Sequence, residues 1–342
     1  MRSRHRRGGS ARSRLGPCEG RRAVRPFLVV NPWSAGGRTG RQWPEISARL
    51  GRHLGAFAHA FTERPLDASR LTARALHEGY ECVVAVGGDG TVNEVVNGFF
   101  EDGRVINAEA ALGVVGRGTG GDFGRTYGWD AGLEAAATRL QHGSTLAIDV
   151  GCVSFLDADG APAFRHFANV CSFGVSGEID RAVNQGSKAL RGRVSFALGS
   201  LRALWRYQDR TVRVRVDGGE PQEMKVTVLA AAIGRYFGGG MCVAPEAHPA
   251  DGLIDVTVWT GYGVSDFALK APALYGGGHV KLSGTRTFRC KSLSAEGDGD
   301  VLLDVDGEQP GRLPCEISLL PGALRLKAGD GSTRPFATPR NS

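Results

Sequence analysis

Two patterns of apolar and polar positions alternate along the first 142 residues. Four short segments have the continuous or alternating apolar pattern of strands, at 26–31, 56–61, 81–86 and 111–115. Between and after them, apolar residues recur three or four positions apart, which predicts helices at 41–54, 67–79, 92–100 and 130–141. Strands that alternate with helices in this way predict a parallel sheet with short connections.

Strand-like segments dominate the chain after about residue 143. They lie at 145–156, 163–171, 211–216, 224–233, 252–259, 285–293, 299–305 and 314–319. Because glycine and aspartate turns separate many of them, we predict a second, mostly antiparallel domain built as a β-sandwich. One long helical stretch, at about 176–207, interrupts this domain.

These patterns predict an α/β + β protein, with an N-terminal three-layer α/β domain and a C-terminal β-sandwich domain. A length of 342 residues suits two domains better than one. The predicted divisions are an arm, the α/β domain, the sandwich and a tail, at 1–25, 26–142, 143–328 and 329–342. The last segment of the sandwich is a candidate to return to the first domain.

The net charge of +7 is concentrated at the start of the chain. Residues 1–25 contain nine arginines and one glutamate, that is +8, which leaves −1 for the rest. A nearly neutral body argues against a nucleic-acid partner. The basic arm lacks periodicity, which predicts disorder. It is either a segment that contacts anionic lipid or the product of a translation start site placed too far upstream.

Nothing in the sequence predicts a membrane span or a disulfide framework. No apolar run reaches the roughly 18–20 residues that a transmembrane helix needs. The seven cysteines are odd in number and form no C-x-x-C pair, which favours a reducing, cytoplasmic setting. A role at a membrane would therefore be exercised from its surface.

A glycine-rich loop follows the buried strand at 81–86. It reads GGDGT and ends at Thr91. Glycines let backbone N–H groups approach a ligand closely, and a helix N-terminus adds an anion cradle. Thr91 is a candidate cap of the following helix and a hydroxyl donor to phosphate. Asp89 would repel phosphate unless Mg²⁺ lies between them or the carboxylate binds a hydroxyl instead.

A glycine-rich turn is the alternative explanation of GGDGT, because aspartate also favours turns. Two further glycine-rich loops follow predicted strands, NPWSAGGRTGR at 31–41 and GRGTGGDFGR at 116–125. Three such loops at three strand ends favour a nucleotide phosphate site. The sequence contains neither a Walker A loop nor a dinucleotide fingerprint after the first strand.

Five motifs resemble the diacylglycerol kinase catalytic-domain family, which includes bacterial lipid kinases and sphingosine and ceramide kinases. They are NPWSAGG, GGDGTVNEVVNG, GTGGDFGR, YFGGGMCVAPEAHPADGLIDV and LDVDGE, and the resemblance runs from about 26 to 328. It implies an ATP-binding α/β domain, a β-sandwich domain for the lipid, and a lipid site between the two. The third loop departs from the family pattern, with Gly116 in place of proline and Gly121 in place of asparagine.

The resemblance also implies roles for particular residues. The DGE motif is thought to hold the family's general base, so the catalytic candidates are Asp306, Glu308 and Asp89. The candidates for binding ATP are Asn31, Ser34, Gly36, Thr62, Gly87, Gly88, Asp89, Gly90, Thr91 and Thr119. Asp251 and Leu253 resemble a magnesium-associated segment, but Ala250 stands where many members have a second acidic residue. The Mg²⁺ that accompanies ATP does not depend on that segment.

We therefore predict an ATP-dependent lipid kinase that phosphorylates a hydroxyl of a diacylglycerol-like or sphingoid lipid, as in phospholipid biosynthesis. It would be cytoplasmic and associated peripherally with the membrane that holds its lipid substrate; a homodimer is a candidate assembly. The alternatives are an NAD kinase-like phosphotransferase and a non-catalytic nucleotide- or lipid-binding regulator. The basic stretch at 189–206 is either a helix on an anionic membrane or a helix facing the core.

Overall fold

The computed structural model describes residues 25–118, 120–129, 132–185, 207–297 and 299–329. The helices are α1 (Ser34–Arg41), α2 (Trp43–Leu54), α3 (Asp67–His77), α4 (Asp89–Gly98), α5 (Asp122–Thr126), α6 (Leu133–His142), α7 (Val175–Gln185), α8 (Val264–Leu269) and α9 (Ala271–Gly276). The strands are β1 (Phe27–Val30), β2 (Ala58–Phe61), β3 (Cys82–Gly87), β4 (Phe100–Glu101), β5 (Arg104–Val105), β6 (Ala111–Gly116), β7 (Ser144–Leu156), β8 (Pro162–Phe167), β9 (Val170–Gly174), β10 (Arg210–Val216), β11 (Gln222–Val226), β12 (Val228–Ala232), β13 (Ile254–Trp259), β14 (Thr285–Cys290), β15 (Ser292–Gly297), β16 (Leu303–Val305) and β17 (Arg312–Gly329).

The first domain is a parallel sheet covered by helices on both faces. Its strands lie in the order β2-β1-β3-β6, with β1 pairing in parallel with both β2 and β3. Side chains alternate across the sheet, so Leu28 and Val30 pack with residues of α2 and α6, while Val29 packs with residues of α3 and α4. This arrangement has the three predicted layers, and it explains why VVAV in β3 is apolar at every position.

Two sheets enclose the core of the second domain. One has the order β14-β13-β12-β9-β16, and the other contains β11, β10, β15, β17, β7 and β8. Residues such as Phe173 and Val256 from the five-stranded sheet meet Val214 and Ile317 from the other sheet in one buried cluster. The second domain is therefore the predicted β-sandwich, and the α/β + β fold class is confirmed.

A long antiparallel ribbon of β7 and β17 joins the two domains. β17 pairs with β15 in the sandwich, and near its end it pairs in parallel with β6 of the first domain. The buried carboxylate of Asp149 on β7 accepts hydrogen bonds from the N–H groups of Gly252 and Gly322, both at 2.8 Å. Strands of both domains thus belong to one ten-stranded sheet.

The structure differs from the sequence prediction at several element boundaries. The predicted strands at 163–171, 224–233 and 285–293 are each divided into two, and β17 is three times as long as predicted. Helix α4 begins at Asp89 rather than near 92, and short helices α1 and α5 occupy parts of the predicted glycine loops. The helical prediction beyond Gln185, including 189–206, falls outside the described residues.

Two further sequence observations concern the described residues only. None of their helices is long and apolar enough to cross a membrane. Their six cysteines are all free and buried, and they are Cys82, Cys152, Cys171, Cys242, Cys290 and Cys315. They behave as small core residues.

Gly98 is required where α4 crosses α3, and this gives a test of the packing. A Cβ on Gly98 would lie 2.5 Å from Cβ of Thr72 and would also overlap the carbonyl oxygen of Ser69. We expect Gly98→Ala to lower the free energy of unfolding by about 1–3 kcal/mol through overpacking. The matched control is Gly51→Ala in α2, where the added Cβ meets nothing and should stabilise by up to about 1 kcal/mol. Chemical denaturation of both variants measures the difference, and equal effects would contradict the close packing.

Candidate functional site

Three glycine-rich loops meet at the carboxyl ends of β1, β3 and β6. We call them the first loop (31–41), the central loop (87–91) and the third loop (116–125). Their parent strands are neighbours, with β3 lying between β1 and β6. Carboxyl ends of parallel strands are the usual place for ligands in open α/β sheets. The predicted phosphate loops therefore lie together along one edge of the first domain.

A hydrogen bond joins the first loop to the central loop. The side-chain amide of Asn31 donates to the hydroxyl of Thr91 at 3.0 Å, and Gly87 leaves just enough room for that threonine. Thr91 is buried within the first turn of α4, and the N-cap position belongs to Gly88. The expectation that Thr91 caps the helix is therefore wrong, because α4 begins three residues earlier than the sequence pattern indicates.

The central and third loops touch through their backbones. A Cβ on Gly118 would lie 2.6 Å from Cα of Gly88, and a Cβ on Gly120 would lie 2.6 Å from a carboxylate oxygen of Asp89. Any larger residue at these two positions of the third loop would force the loops apart. Close approach of two backbones is thus the physical reason for the glycines here.

Asp89 points its carboxylate at the start of α5. One oxygen accepts from the N–H groups of Gly121 at 2.8 Å and Asp122 at 3.4 Å, and the other accepts from the N–H of Phe123 at 3.2 Å. A carboxylate at a helix N-terminus satisfies donors that have no partner within the helix. Asp89 therefore fastens the third loop to the central loop.

Asp122 extends this connection to the second domain. Its carboxylate accepts from the N–H of Gly239 at 2.8 Å and from the guanidinium of Arg125 at 2.5 Å. Burial raises the pKa of the Asp122 carboxyl, and the nearby charge of Asp89 raises it further, whereas its hydrogen-bond partners lower it. The third loop is thus held between Asp89 of the first domain and a glycine hairpin of the second.

Asp306 is the most heavily hydrogen-bonded carboxylate at the domain junction. Its two oxygens accept four hydrogen bonds of 2.9–3.1 Å, from the side chain of Asn93 on α4 and from backbone N–H groups of residues 168–170. Burial raises the pKa of this carboxyl and the four donors oppose that shift. Asp306 therefore links the helix behind the central loop to the sandwich.

Glu308 follows in the same tight turn and faces the central loop. Asp306 and Gly307 both have positive φ, at 51° and 87°, as a type I′ turn requires. The predicted hairpin turn and the predicted acidic site residues thus coincide. A Cβ on Gly90 would lie 3.0 Å from Oε1 of Glu308. The residue as a whole is exposed, but its carboxyl faces the loop, where desolvation raises its pKa; the charge of Arg165 lowers the pKa and that of Glu94 raises it.

A polar cavity of about 260 Å³ lies between the first and third loops. It is lined by Ala35, Arg38, Gln42, Gly116, Arg117 and Gly118. The Arg117 guanidinium donates to the side-chain oxygen of Gln42, and its Nε has no hydrogen-bond partner among the described residues. Two guanidinium groups beside glycine backbone provide a site suited to phosphate oxygens.

The Asp251–Leu253 segment has a local arrangement of its own. The Asp251 carboxylate accepts from the N–H of Leu253 at 3.1 Å, and Gly252 between them donates to Asp149. Among the residues that the structure describes, no group of three His, Cys, Asp or Glu side chains could hold a metal ion. The auxiliary magnesium site at Asp251 and Leu253 stays a prediction.

The remaining candidates lie around the first loop or outside the described chain. Ser34 donates to the hydroxyl of Thr39 at 2.6 Å, Gly36 is exposed, and Thr62 is buried at the end of β2. Thr119 falls outside the described residues. The sequence analysis did not single out Arg38, Arg117 or Asn93, because a single arginine or a helical asparagine carries no pattern of its own.

Two sequence profiles of known families match the chain, one for each domain. The first, described as the diacylglycerol kinase catalytic domain, matches residues 25–153. The second, described as the YegS C-terminal NAD kinase beta sandwich-like domain, matches residues 169–328. The two matches follow the order of the α/β domain and the β-sandwich.

Known proteins of similar sequence and structure agree with these matches. A diacylglycerol kinase of Mycobacterium tuberculosis is 30% identical over 264 residues, covering 76% of this chain and 81% of the relative. A diacylglycerol kinase of Staphylococcus carnosus is 25% identical over 296 residues, which cover 86% of this chain and 91% of the relative. The crystal structure of a diacylglycerol kinase from Bacillus anthracis superposes with a TM-score of 0.67 at 24% identity. The superposition covers 89% of this chain and 96% of that one. Yeast NADH kinase has the same fold at a TM-score of 0.52 and 11% identity, over 92% of this chain and 86% of that one.

The contacts of Asp306 predict a loss of stability when its charge is removed. Asparagine accepts through only one oxygen and would turn N–H groups towards buried donors, so we expect Asp306→Asn to lower the free energy of unfolding by about 2–4 kcal/mol. Asparagine tolerates the positive φ, so backbone strain does not contribute. Glu308→Gln is the control and should stay within about 0.5 kcal/mol. Equal denaturation midpoints for the two variants would refute a structural role of Asp306.

Proposed function

The chain belongs to the diacylglycerol kinase family, and we propose that it transfers the γ-phosphate of ATP to a hydroxyl of a diacylglycerol-like or sphingoid lipid. Membership makes it a lipid kinase, a phosphotransferase with an alcohol group as acceptor. The proposed transfer from ATP to a lipid hydroxyl rests on one observation, the position of Glu308 against Gly90. It brings a carboxylate of the sandwich domain to the central glycine loop.

The glycine loops lie on the first-domain side of the contact between Glu308 and Gly90, and their composition suits the binding of a nucleotide. The N-terminus of α4 and the glycine backbone supply N–H groups, and Arg38 and Arg117 supply positive charge. Phosphoryl transfer asks a protein mainly for positioning and for neutralisation of charge. We assign the binding of the phosphate chain to these groups, with Asn31 and Asp89 holding the loops in place.

Glu308 is the better of the two candidates for the general base. Each oxygen of Asp306 already accepts two hydrogen bonds, so little capacity is left for a substrate proton. Glu308 is exposed, and no hydrogen bond from a described residue occupies its carboxylate. We therefore assign proton acceptance to Glu308 and a positioning role to Asp306.

Mg²⁺ belongs to this proposal as a companion of ATP. When bound, it would neutralise part of the charge of the phosphate groups. The described residues offer no three-ligand site of acidic, histidine or cysteine side chains, so the nucleotide itself would supply most of the ligands. The protein contributes the backbone donors and the two arginines.

The decisive experiment is transfer of radiolabelled γ-phosphate from ATP with Mg²⁺ to a panel of lipids in mixed micelles. Label on a diacylglycerol or a sphingoid base supports the proposal and names the acceptor class. NAD is offered in parallel, and label on NAD alone would favour the NAD kinase-like alternative. Binding of ATP without transfer to any acceptor would favour a regulator. A Glu308→Gln sample shows whether the transfer arises from this site.

Glu308→Gln should lower kcat by roughly 100-fold or more, with little change in the KM for ATP, because a base acts in the transition state. The base must be ionised, so kcat of the unsubstituted enzyme should fall as the pH drops through the pKa of Glu308. Since that pKa is raised, the fall should lie above the ordinary glutamate value of 4.5. Steady-state kinetics against pH measure both effects. A near-normal kcat, or the same acid limb in the variant, would reject Glu308 as the base.

Arg38→Ala and Arg117→Ala should each raise the KM for ATP by about tenfold, with a smaller change in kcat. The expectation follows from loss of a charged group beside the phosphate chain, worth about 1.4 kcal/mol for each factor of ten. Arg52→Ala on the exposed face of α2 is the matched control. Unchanged nucleotide affinity in both loop variants would move the phosphates away from this cavity.

A further inference from the structure

Arg165 is a half-buried residue in the middle of β8. Its guanidinium forms no hydrogen bond and no ion pair with any other described residue. A guanidinium offers several N–H donors in a fixed fork, and that fork matches the oxygens of a carboxylate or a phosphate. The sandwich therefore carries a positive charge whose donors remain available to an anionic ligand.

The alternation of side chains along β8 turns Arg165 towards the inner side of the sandwich. The rings of Phe164 and His166, its two neighbours, lie 4.8 Å apart on one face of the strand. Arg165 lies on the opposite face with Phe167, which belongs to the core of the sandwich. Its partner on β7 is Val153, a residue of the same core. The side chain of Arg165 is thus directed towards the other sheet.

The turn that carries Glu308 lies beside the same border of the sandwich. β8 and β16 are edge strands of their sheets, and β16 leads into this turn. Three N–H groups directly after β8, at residues 168–170, donate to the carboxylate of Asp306 in the turn at 2.9–3.1 Å. The chain just after Arg165 is therefore bonded to the chain just before Glu308.

Two asparagines of α4 hold β8 from the other side. The side-chain amide of Asn97 donates to the carbonyl oxygen of His166 and accepts from its N–H, each at 2.9 Å. Asn93 donates to the same carbonyl oxygen at 3.0 Å. Arg165, the residue before His166, is thus held between the helix that begins in the central loop and the turn at 306–308.

Negative charge accumulates where Glu308 approaches the central loop. Desolvation raises the pKa of the Glu308 carboxyl, and among nearby charges Arg165 lowers that pKa whereas Glu94 raises it. A phosphoryl group beside these two carboxylates would be repelled unless a cation offset their charge. Arg38 and Arg117 line the cavity between the first and third loops. Arg165 supplies a positive charge from the sandwich side instead.

We propose that Arg165 is a catalytic residue that contacts the phosphoryl group during its transfer. The inference rests on the proposed kinase function. The acceptor oxygen forms a bond to the γ-phosphorus, the bond from that phosphorus to the β–γ bridging oxygen breaks, and ADP leaves with the electron pair. The hydroxyl proton passes to Glu308. Arg165 keeps its own protons and donates hydrogen bonds to the oxygens of the phosphoryl group, whose charge it offsets in the transition state.

Steady-state transfer to the acceptor that the unsubstituted protein labels tests the proposal. Arg165→Met removes the charge and should lower kcat at least 100-fold, with a change of less than about threefold in the KM for ATP. Arg165→Lys keeps the charge without the fork, and we expect a loss of about tenfold. The matched control is Arg213→Met on β10, an exposed strand arginine that lies 3.9 Å from Glu296 and should keep its kcat. Normal kcat in Arg165→Met would overturn the proposal, whereas no transfer by the unsubstituted protein would contradict the kinase function itself.

The pH profile separates contact with the phosphoryl group from an effect on Glu308 alone. Loss of a positive charge raises the pKa of the Glu308 carboxyl, so the acid limb of kcat should move to higher pH in Arg165→Met. We expect the loss of kcat to persist on the plateau above that limb. Full recovery of kcat on the plateau would overturn the proposal and leave Arg165 as a residue that only keeps Glu308 ionised.

A binding measurement gives a second readout without turnover. ADP with Mg²⁺ and aluminium fluoride mimics the phosphoryl group in transfer, and transition-state mimics lose most when a transition-state contact is removed. In isothermal titration, Arg165→Met should bind this mixture at least tenfold more weakly than the unsubstituted protein and bind ADP with Mg²⁺ equally well. Equal binding of the mixture would overturn the proposal. Melting temperatures check folding, and Arg165→Lys serves if the methionine variant melts early.

Discussion

The carboxylate of Asp306 fixes how the two domains face each other. An ionised carboxylate removed from water is costly unless its oxygens are fully hydrogen-bonded, and here each oxygen accepts two donors. One donor comes from α4 of the first domain, and three come from the strand junction at 168–170 in the sandwich. A shift of either domain would break several of these bonds at once. Because Glu308 is two residues away in the same rigid turn, its distance from the central loop is set by this interaction.

The β7–β17 ribbon provides the same constraint on a larger scale. Because β17 pairs with strands of both domains, the sandwich cannot rotate against the parallel sheet without loss of ladder hydrogen bonds. Asp149 on β7 fastens Gly252 and Gly322 to this ribbon. The candidate site is thus built at a junction that two separate networks hold, one of backbone pairs and one of buried carboxylates. Such rigidity suits a reaction that depends on positioning.

The sequence predicted the elements whose signals are local. Apolar runs located β1, β3 and β6, glycine loops marked their carboxyl ends, and the Asp-Gly pair at 306 marked the type I′ turn. It could not predict partners that are distant in the chain. Asp89 meets donors more than thirty residues later, and Asn93 meets Asp306 across the domain boundary. The start of α4 was also missed, because a helix that begins with Asp-Gly has no apolar period in its first turn.

The electrostatics of the loops explain how carboxylates can lie beside the proposed phosphate site. The negative charge of Asp89 is offset by three N–H groups at the start of α5, and that of Asp122 by Arg125 and the N–H of Gly239. Both carboxylates are engaged by donors of the protein itself. The cavity between the first and third loops instead presents the guanidinium groups of Arg38 and Arg117. The two aspartates therefore hold the loops together, and in the proposed site the anion would meet backbone donors and arginine, with the Glu308 carboxylate contributed by the other domain.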